Sequence, residues 1–257
     1  MGYAETVSIL QCTYSVLAEG EIYDIVDRMI ADGNRHQICI SNVHTTMMAV
    51  ENPQFSKILN SSSLVTMDGR PLVWAAKNMG KKKATRVAGP DFFQHICSIS
   101  PEKGYTHFLY GGREGVPERM QKILESLYPG IRIVGVYSPP FRPLTREEDE
   151  AVIKKINAAK PNFVWIGLGA PKQEQWAHEH LEKIHANIFI GIGAAFDFIA
   201  GTIKRAPKWM QDSGLEWLFR LSQDPARLWK RYLVYNTKYL IKIIPDIIRY
   251  RISNSAN

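Results

Sequence analysis

The most constraining feature of this 257-residue sequence is a strand design that occurs twice in its second half. An apolar segment, Phe163 to Leu168, runs into the polar turn 169–174, and a second apolar segment, Asn187 to Ile190, runs into the stretch 191–207. Glycine after a strand lets the backbone turn sharply and lets a ligand approach closely. Because ligands of open α/β sheets bind beyond the carboxyl ends of the strands, the two segments predict one shared site.

Strands and helices alternate through the rest of the chain. The spacing of apolar residues predicts a helix over 21–31. Thr145 with Glu148 predicts a capping box for a helix that ends at Ala159. Further short strands are predicted at 37–41, 64–67, 105–110 and 131–137. The repeated β-then-α order indicates an α/β fold with a doubly wound, mostly parallel, Rossmann-like sheet, which we assign to residues 1–205.

The formal net charge of +7 is concentrated near the end of the chain. Residues 201–257 contain 11 Lys and Arg against four Asp and Glu, whereas the preceding residues are balanced. Aromatic and aliphatic residues are interleaved with these cations at helical spacing, which is typical of an interfacial helix on anionic lipid. We therefore expect 206–257 to form a basic amphipathic helical appendage that closes the site and associates with a membrane. The alternative is a helical cap that covers the sheet through its aromatic stripe.

Several functional classes do not fit the sequence. Three cysteines without a C-x-x-C motif suggest neither a disulfide framework nor a zinc ribbon, and they fit a reducing cytoplasm. No basic-flanked apolar leader and no run of about 18 apolar residues occurs, so we expect neither a signal peptide nor a membrane span. Dinucleotide and P-loop glycine motifs are also absent, so neither type of cofactor site is expected.

A metal site and a nucleic-acid partner are not expected either. His178 and His180 lie at i and i+2 of a predicted helix, so they point to different faces and cannot share an ion. The positive charge lies among bulky aliphatic residues rather than in a polar groove, which argues against nucleic acid. The run 81–83 of three lysines is interpreted as a solvated loop, with phosphate or lipid contact as the alternative.

One carboxylate directly follows a predicted strand. Asp68 lies in the turn Asp68-Gly69-Arg70-Pro71, a geometry that suits a general base at the mouth of the sheet. The structural alternative is an Asx-turn that only shapes the loop. Asn42 and His44 end the neighbouring strand and are candidates for hydrogen bonds to a polar ligand. A lone histidine after a strand is more often structural, so His44 alone indicates little.

These motifs occur together in one order and carry a family resemblance. The segments that carry it are Asn42–Thr45, Asp68–Pro71, Ala88–Asp91, Gly111–Gly112, Gly167–Glu174, Gly191–Asp197 and Gly214–Trp217. From about residue 8 to about residue 235, the chain resembles the WecG/TagA/CpsF family of bacterial glycosyltransferases. The resemblance implies that a sugar moves from a UDP-sugar to a lipid-diphosphate-linked acceptor at the cytoplasmic membrane. It further implies inversion at the anomeric carbon without a metal, in cell-surface polysaccharide or teichoic acid synthesis.

The resemblance also implies substrates and roles. The expected donor is UDP-N-acetylmannosamine or its uronic acid, and the expected acceptor is undecaprenyl-diphosphate-GlcNAc. Asp68 matches the base, and Asn42 matches an asparagine of the donor pocket. The family often has threonine two residues earlier, where this chain has Ile40, so Ser41 is the candidate replacement. UDP-glucuronate, UDP-glucose or another hexose donor are therefore alternatives, and a non-catalytic nucleotide- or phospholipid-binding protein is the alternative from another class.

Charge chemistry agrees with the resemblance. Departure of UDP builds negative charge on the diphosphate, and without a metal that charge must meet guanidinium groups or helix N-termini. Arg220 and Arg227 match family arginines of this kind, and the third position is Lys230 or Arg231, of which we select Arg231. The expected substrate-binding residues are Asn42, His44, Gly69, Arg70, Gly111, Gly169, Pro171, Lys172, Gln173, Glu174, Gly193, Phe196 and Asp197. Homo-oligomers are described in the family, and we expect membrane contact through the basic C-terminus.

Overall fold

The centre of the molecule is a six-stranded parallel sheet beside a small antiparallel hairpin. The computed structural model describes residues 2–255, with side chains through residue 253. The strands are β1 Glu5–Ile9, β2 Cys12–Val16, β3 His36–Ser41, β4 Leu64–Met67, β5 Thr106–Gly111, β6 Arg132–Tyr137, β7 Phe163–Gly167 and β8 Ile188–Gly191. β1 pairs with β2, and the sheet order is β4-β3-β8-β7-β5-β6 with every neighbouring pair parallel.

Helices connect these strands and form the end of the chain. They are α1 Glu21–Ala31, α2 Val43–Glu51, α3 Pro53–Ser61, α4 Arg70–Asn78, α5 Gly89–Lys103, α6 Val116–Leu127, α7 Arg146–Ala159, α8 Lys172–His180, α9 Ala195–Ile199, α10 Lys208–Ser213, α11 Glu216–Gln223, α12 Pro225–Trp229 and α13 Tyr235–Ser255. A π-helical turn, Lys230–Val234, joins α12 to α13. The α/β class with a Rossmann-like parallel sheet and a helical C-terminal region is confirmed.

Local chemistry sets many helix boundaries. Thr145 Oγ1 accepts the backbone N–H of Glu148, while the Glu148 carboxylate accepts the N–H of Thr145, so the predicted capping box is present at the start of α7. The asparagines Asn42 and Asn52 cap α2 and α3 through their side-chain oxygens. Such contacts span only two or three residues, which explains why the sequence pattern predicts the capping box at Thr145.

Alternate side chains of each strand enter different cores. In β7, Phe163 and Trp165 pack with α1, α5, α6 and α9 on one face of the sheet. Val164 and Ile166 pack with α7 and α8 on the opposite face. On that second face, the hairpin packs with α2, α3, α4 and α13 over β3 and β4. Both faces are covered, as a parallel sheet requires.

The hairpin and α3 are absent from the sequence-based prediction. The β1–β2 pair buries Tyr14, whose hydroxyl bonds Ser41 and Thr46 at 3.0 and 2.7 Å. α3 begins at Pro53 and has only nine residues. So short a run of apolar residues does not by itself indicate which face of a helix is buried. The lysine run 81–83 lies in a loop beside the hairpin, where Lys81 contacts Glu5 at 2.8 Å.

The last helix divides its apolar side chains between the protein and solvent. Its residues Tyr239, Ile243 and Ile247 are buried against α2 and α4. Five others, which we call the α13 exposed stripe, are 46–68% exposed: Leu240, Ile241, Ile244, Ile248 and Ile252. One face of α13 thus packs on the protein, and the membrane contact expected for the other face stays a prediction. Within residues 2–255, no helix is both long enough and apolar enough to cross a bilayer.

Candidate active site

A single large cavity opens at the carboxyl ends of the parallel strands. Its volume is about 1500 Å³, and its wall runs from the Asp68 turn after β4 to the loop after β6. Strands of a sheet are spaced about 4.8 Å apart, so the β4 and β6 ends are separated by roughly 24 Å. Both glycine turns selected from the sequence, at Gly169 and Gly193, lie in this wall. Such a cavity accommodates an extended, nucleotide-sized ligand.

Asp68 projects into the cavity from the end of β4. Its backbone N–H donates to the carbonyl of Ser41 at 2.8 Å, which continues the β3–β4 ladder and fixes the residue. One quarter of its side-chain surface is accessible. Burial raises the pKa of this carboxyl above its usual range, with the Arg86 guanidinium opposing that shift and Glu216 adding to it.

Arg86 is the direct partner of Asp68 and is a residue that the sequence analysis missed. Its Nη2 donates to Asp68 Oδ1 at 3.0 Å, and its Nε donates to the Asp68 backbone carbonyl. The same Nη2 reaches Glu216 Oε2 at 3.2 Å. An isolated arginine 18 residues after the carboxylate matches no local motif, so no sequence pattern indicated this pairing.

Asn42 and His44 lie at the start of α2, in the cavity wall. Asn42 Oδ1 caps the helix by accepting the N–H groups of His44 and Thr45 at 3.0 and 3.3 Å, which leaves the amide NH₂ for a ligand. The His44 ring packs edge-on against Tyr235, with centroids 4.9 Å apart. Burial, and then the charge of Arg231, lower the pKa of His44 to about 4, so this ring is neutral at neutral pH.

The side chain of Gln173 joins the two glycine turns. Its Oε1 accepts the N–H of Gly169 at 3.1 Å, and its amide group packs directly against Gly191. A Cβ at position 191 would lie 2.6 Å from this side chain, so the close approach requires glycine there. Gly169 and Gly193 have φ values of +76° and +47°, a backbone conformation that favours glycine.

Glu174 differs from its neighbour, because its side chain lies behind the cavity wall. It is 2% exposed, and its Oε1 accepts the Gln173 Nε2–H at 2.8 Å. Gln37 Nε2 donates to its backbone carbonyl at 2.9 Å. Burial raises the pKa of Glu174 to about 7. Gln173, and not Glu174, therefore lines the cavity.

The remaining expected binding residues divide into two groups. Gly69, Arg70, Lys172, Phe196 and Asp197 line the cavity. Gly111 and Pro171 do not: a Cβ on Gly111 would lie 2.7 Å from the Gly167 backbone, so this glycine permits the close approach of β5 and β7. Asp197 Oδ1 accepts the Thr202 hydroxyl at 3.1 Å, which orders the turn after α9.

Three arginines from the C-terminal helices reach the cavity. Arg220 lies over the Phe198 ring at 5.4 Å, and Arg227 Nε donates to Asp224 at 2.6 Å. Arg231 also lines the cavity, whereas the adjacent Lys230 does not. Burial lowers the pKa of Arg231, a group that ordinarily remains charged far above neutral pH. Together these side chains give this part of the cavity a positive charge.

Further cavity residues were missed because they come from distant parts of the chain. They are Arg86, Trp217, Tyr232 and Asn236, together with the proline-rich loop 139–144. His178 is exposed and His180 is buried against Asp149 at 2.9 Å, so the two histidines do face different sides of α8. Across residues 2–255, no three His, Cys, Asp or Glu side chains come together in a group suited to a metal ion.

An α/β sheet with a carboxylate and several arginines at its carboxyl edge has the groups that bind an anionic ligand and accept a proton beside it. Comparison with known proteins specifies the class further. The family model described as "Glycosyl transferase WecG/TagA/CpsF family" matches residues 7–253. The chain belongs to this family and is a glycosyltransferase.

Three curated relatives of the chain share one name. The protein named N-acetylglucosaminyldiphosphoundecaprenol N-acetyl-beta-D-mannosaminyltransferase of Bacillus subtilis (strain 168) is 31% identical over 80% of this chain and 77% of its own length. Its namesake in Bacillus spizizenii is 33% identical over 76% of this chain and 74% of its own length. The namesake in Staphylococcus aureus (strain MW2) is 28% identical over 76% and 73%, respectively.

Proposed function

We propose that this protein transfers N-acetylmannosamine, or its uronic acid, from a UDP-sugar to GlcNAc linked to undecaprenyl diphosphate. The observation that carries the proposal is the Asp68 carboxylate, fixed by Arg86 in the wall of a cavity that also receives three arginines. The names of the relatives supply the acceptor class and the transferred sugar. The family supplies the reaction type.

Asp68 acts as the general base in a single displacement. The acceptor hydroxyl oxygen bonds to the anomeric carbon of the donor, and its proton passes to Asp68. The bond from that carbon to the diphosphate oxygen breaks, and the electron pair leaves with UDP. Attack on the face opposite the leaving group inverts the configuration. Burial strengthens the base, because it raises the pKa of the carboxyl.

The arginines stabilise the departing diphosphate without a metal ion. Guanidinium groups match pairs of phosphate oxygens, and they act most strongly where water is excluded. Arg220, Arg227 and Arg231 line the same cavity as Asp68 and come from three consecutive C-terminal segments. Closure of the site therefore depends on these segments being in place.

The identity of the donor sugar depends on the floor of the cavity near Asn42. Ile40 lines the cavity, whereas the Ser41 hydroxyl is buried and bonds Tyr14 at 3.0 Å. Ser41 is thus engaged elsewhere, and the cavity presents an apolar side chain at the position where the family often has threonine. Because of this difference, UDP-glucuronate, UDP-glucose and other hexose donors remain alternative donors.

The membrane-bound acceptor also requires a docking surface. The α13 exposed stripe follows a spacing of three to four residues, so its members share one side of the helix. Lys238, Lys242 and Arg249 are on the same helix. This combination fits peripheral association with the anionic inner face of the cell membrane, with the apolar stripe in the headgroup region.

A UDP-release assay with a short-chain lipid-diphosphate-GlcNAc acceptor tests the proposal. EDTA is present throughout, and UDP-N-acetylmannosamine and its uronic acid are compared with UDP-glucose, UDP-GlcNAc and UDP-glucuronate. We expect acceptor-dependent release with one donor, and a loss of at least 100-fold in Asp68→Asn with donor binding retained. Asp24→Asn, which changes an exposed carboxylate of α1, is the matched control and keeps full activity.

Three outcomes would contradict parts of the proposal. A requirement for added metal would refute the arginine-based stabilisation. Full activity in Asp68→Asn would refute the assignment of the base. Binding of a UDP-sugar without release from any donor would favour a non-catalytic nucleotide-binding protein instead.

A further inference from the structure

A chain of alternating charges connects the base to the C-terminal helices. Arg86 lies between Asp68 and Glu216, at 3.0 and 3.2 Å. Arg205 Nε donates to Glu216 Oε1 at 3.2 Å, and Arg205 Nη1 donates to Asp91. Glu216 belongs to the Gly214–Trp217 motif, to which the sequence analysis gave no role.

The turn before α11 fixes Glu216 at this position. Gly214 has a φ of +79°, and a Cβ there would lie 2.6 Å from the Arg70 side chain. The Arg70 guanidinium in turn donates to the backbone carbonyl of Asp212. The first residue of α4 and the turn before α11 are thus packed against each other, which brings Glu216 to Arg86 across 130 residues of sequence.

Arg86 divides one N–H-bearing nitrogen between two carboxylates. Its Nη2 serves both Asp68 Oδ1 and Glu216 Oε2, and its Nε reaches the same Asp68 Oδ1 at 3.2 Å. Both donors therefore converge on one carboxylate oxygen, and Asp68 lacks the contact through two parallel bonds to two oxygens that would hold it most firmly ionised. The side chains of Arg86, Glu216 and Arg205 are only 27, 14 and 17% exposed. Charges in such surroundings are screened by salt less than surface charges are.

We propose that Glu216 is a positioning residue that keeps Asp68 an effective base by sharing its arginine partner. The inference rests on the proposed function, in which Asp68 takes the acceptor proton. Because Glu216 belongs to the helices that also carry Arg220 and Arg227, the base reaches full strength only when these helices are docked.

The charged groups that face Asp68 come from three places. Arg86 follows α4, Glu216 begins α11, and Arg231 lies in the π-helical turn. Arg70 is adjacent in sequence, but its guanidinium bonds Asp212. Arg86 and Arg231 lower the pKa of Asp68, whereas Glu216 raises it. Removal of the Glu216 charge therefore lowers the pKa of the base and weakens it.

The test is the pH profile of kcat/KM for the acceptor in wild type and Glu216→Gln. Activity rises with pH as Asp68 loses its proton, so we expect the acidic limb in Glu216→Gln to move to lower pH by on the order of one unit. The plateau is expected to fall about tenfold, with UDP affinity measured by calorimetry unchanged within about twofold. Glu216→Asp, which retains the charge, is expected to restore the position of the limb.

The matched control is Asp91→Asn, at the far end of the charge chain. The acidic limb of its pH profile is expected at the same pH as in wild type. A uniform loss of rate in Glu216→Gln without a shift of the limb would overturn the proposal and leave Glu216 a purely structural role. A shift to higher pH would overturn it as well. Asp68→Asn is measured in parallel, because activity in that variant would refute the base itself rather than the action of Glu216.

Discussion

Gln173 and Glu174 are adjacent in sequence and similar in shape, yet their side chains lie in different surroundings. Gln173 lines the cavity and joins the two glycine turns. Glu174 is buried behind the cavity wall, where its carboxylate accepts a hydrogen bond from the Gln173 amide group and holds that group in one orientation. Both were expected to contact the nucleotide. Successive residues of a helix point about 100° apart, so only the position of the helix against the sheet decides which one reaches the ligand.

Glu174 makes the stability of the protein depend on pH. Its pKa is raised to about 7 by burial, so its stabilising contribution is complete below the pKa of the unfolded chain and is lost as pH rises through 7. Urea unfolding of wild type and Glu174→Gln at pH 4.5 and pH 8 measures this. Relative to wild type, the variant is expected to gain up to about 3 kcal/mol between the two pH values. An unchanged difference would show that Glu174 does not titrate in this range.

The C-terminal helix α13 has one apolar face buried against the protein and another exposed to solvent. Tyr239 is fully buried, and its hydroxyl donates to the Pro71 carbonyl at 3.2 Å, which ties α13 to the start of α4. Ile241, two residues later, is 68% exposed. A helix with apolar residues on both sides needs a second apolar environment, and α13 has only one within the described chain.

Two substitutions in α13 distinguish the contribution of its buried face to stability from that of its exposed face. Tyr239→Ala is expected to destabilise the fold by about 3–5 kcal/mol, since it removes a buried aromatic ring. Ile241→Ala is expected to change the free energy of unfolding by less than about 0.5 kcal/mol, because its side chain is exposed. Urea unfolding followed by circular dichroism measures both. Equal destabilisation would mean that the exposed stripe is packed against protein in solution.

For the molecule as a whole, the site and the expected membrane contact share the same C-terminal segments. The excess positive charge lies after residue 200, in segments that supply both the cavity arginines and α13. Because the proposed acceptor carries a lipid, a surface of the same segments that binds the bilayer would bring the transferase to its substrate.

Vesicle sedimentation tests this arrangement. The wild type is expected to bind phosphatidylglycerol vesicles more tightly than phosphatidylcholine vesicles, and to lose most of this binding between 50 and 500 mM salt, as screening of roughly 1 kcal/mol per cation predicts. The double variant Ile241→Ser and Ile248→Ser is expected to bind anionic vesicles at least tenfold more weakly. Lys57→Ser, on α3, is the control and binds as wild type. Equal binding to phosphatidylglycerol and phosphatidylcholine vesicles would contradict the proposal.

The sequence determined the features that depend on neighbours a few residues apart. Helices α1 and α7 were predicted with their observed bounds, and the strands of the sheet within one residue. Caps, apolar periodicity and glycine turns act over a single turn of chain, so a linear pattern contains them in full. The placement of Asp68 at a strand end follows from the same local signals.

Only the tertiary structure decided the partners of these residues. Arg86 meets Asp68 across 18 residues and Glu216 across 130, distances over which sequence spacing carries no information. Arg231, in the π-helical turn, lines the cavity whereas the adjacent Lys230 does not, and this difference in side-chain direction is visible only in the packed structure. The charge at the base is therefore set by packing, since electrostatic interactions depend on distance in space and on burial rather than on order along the chain.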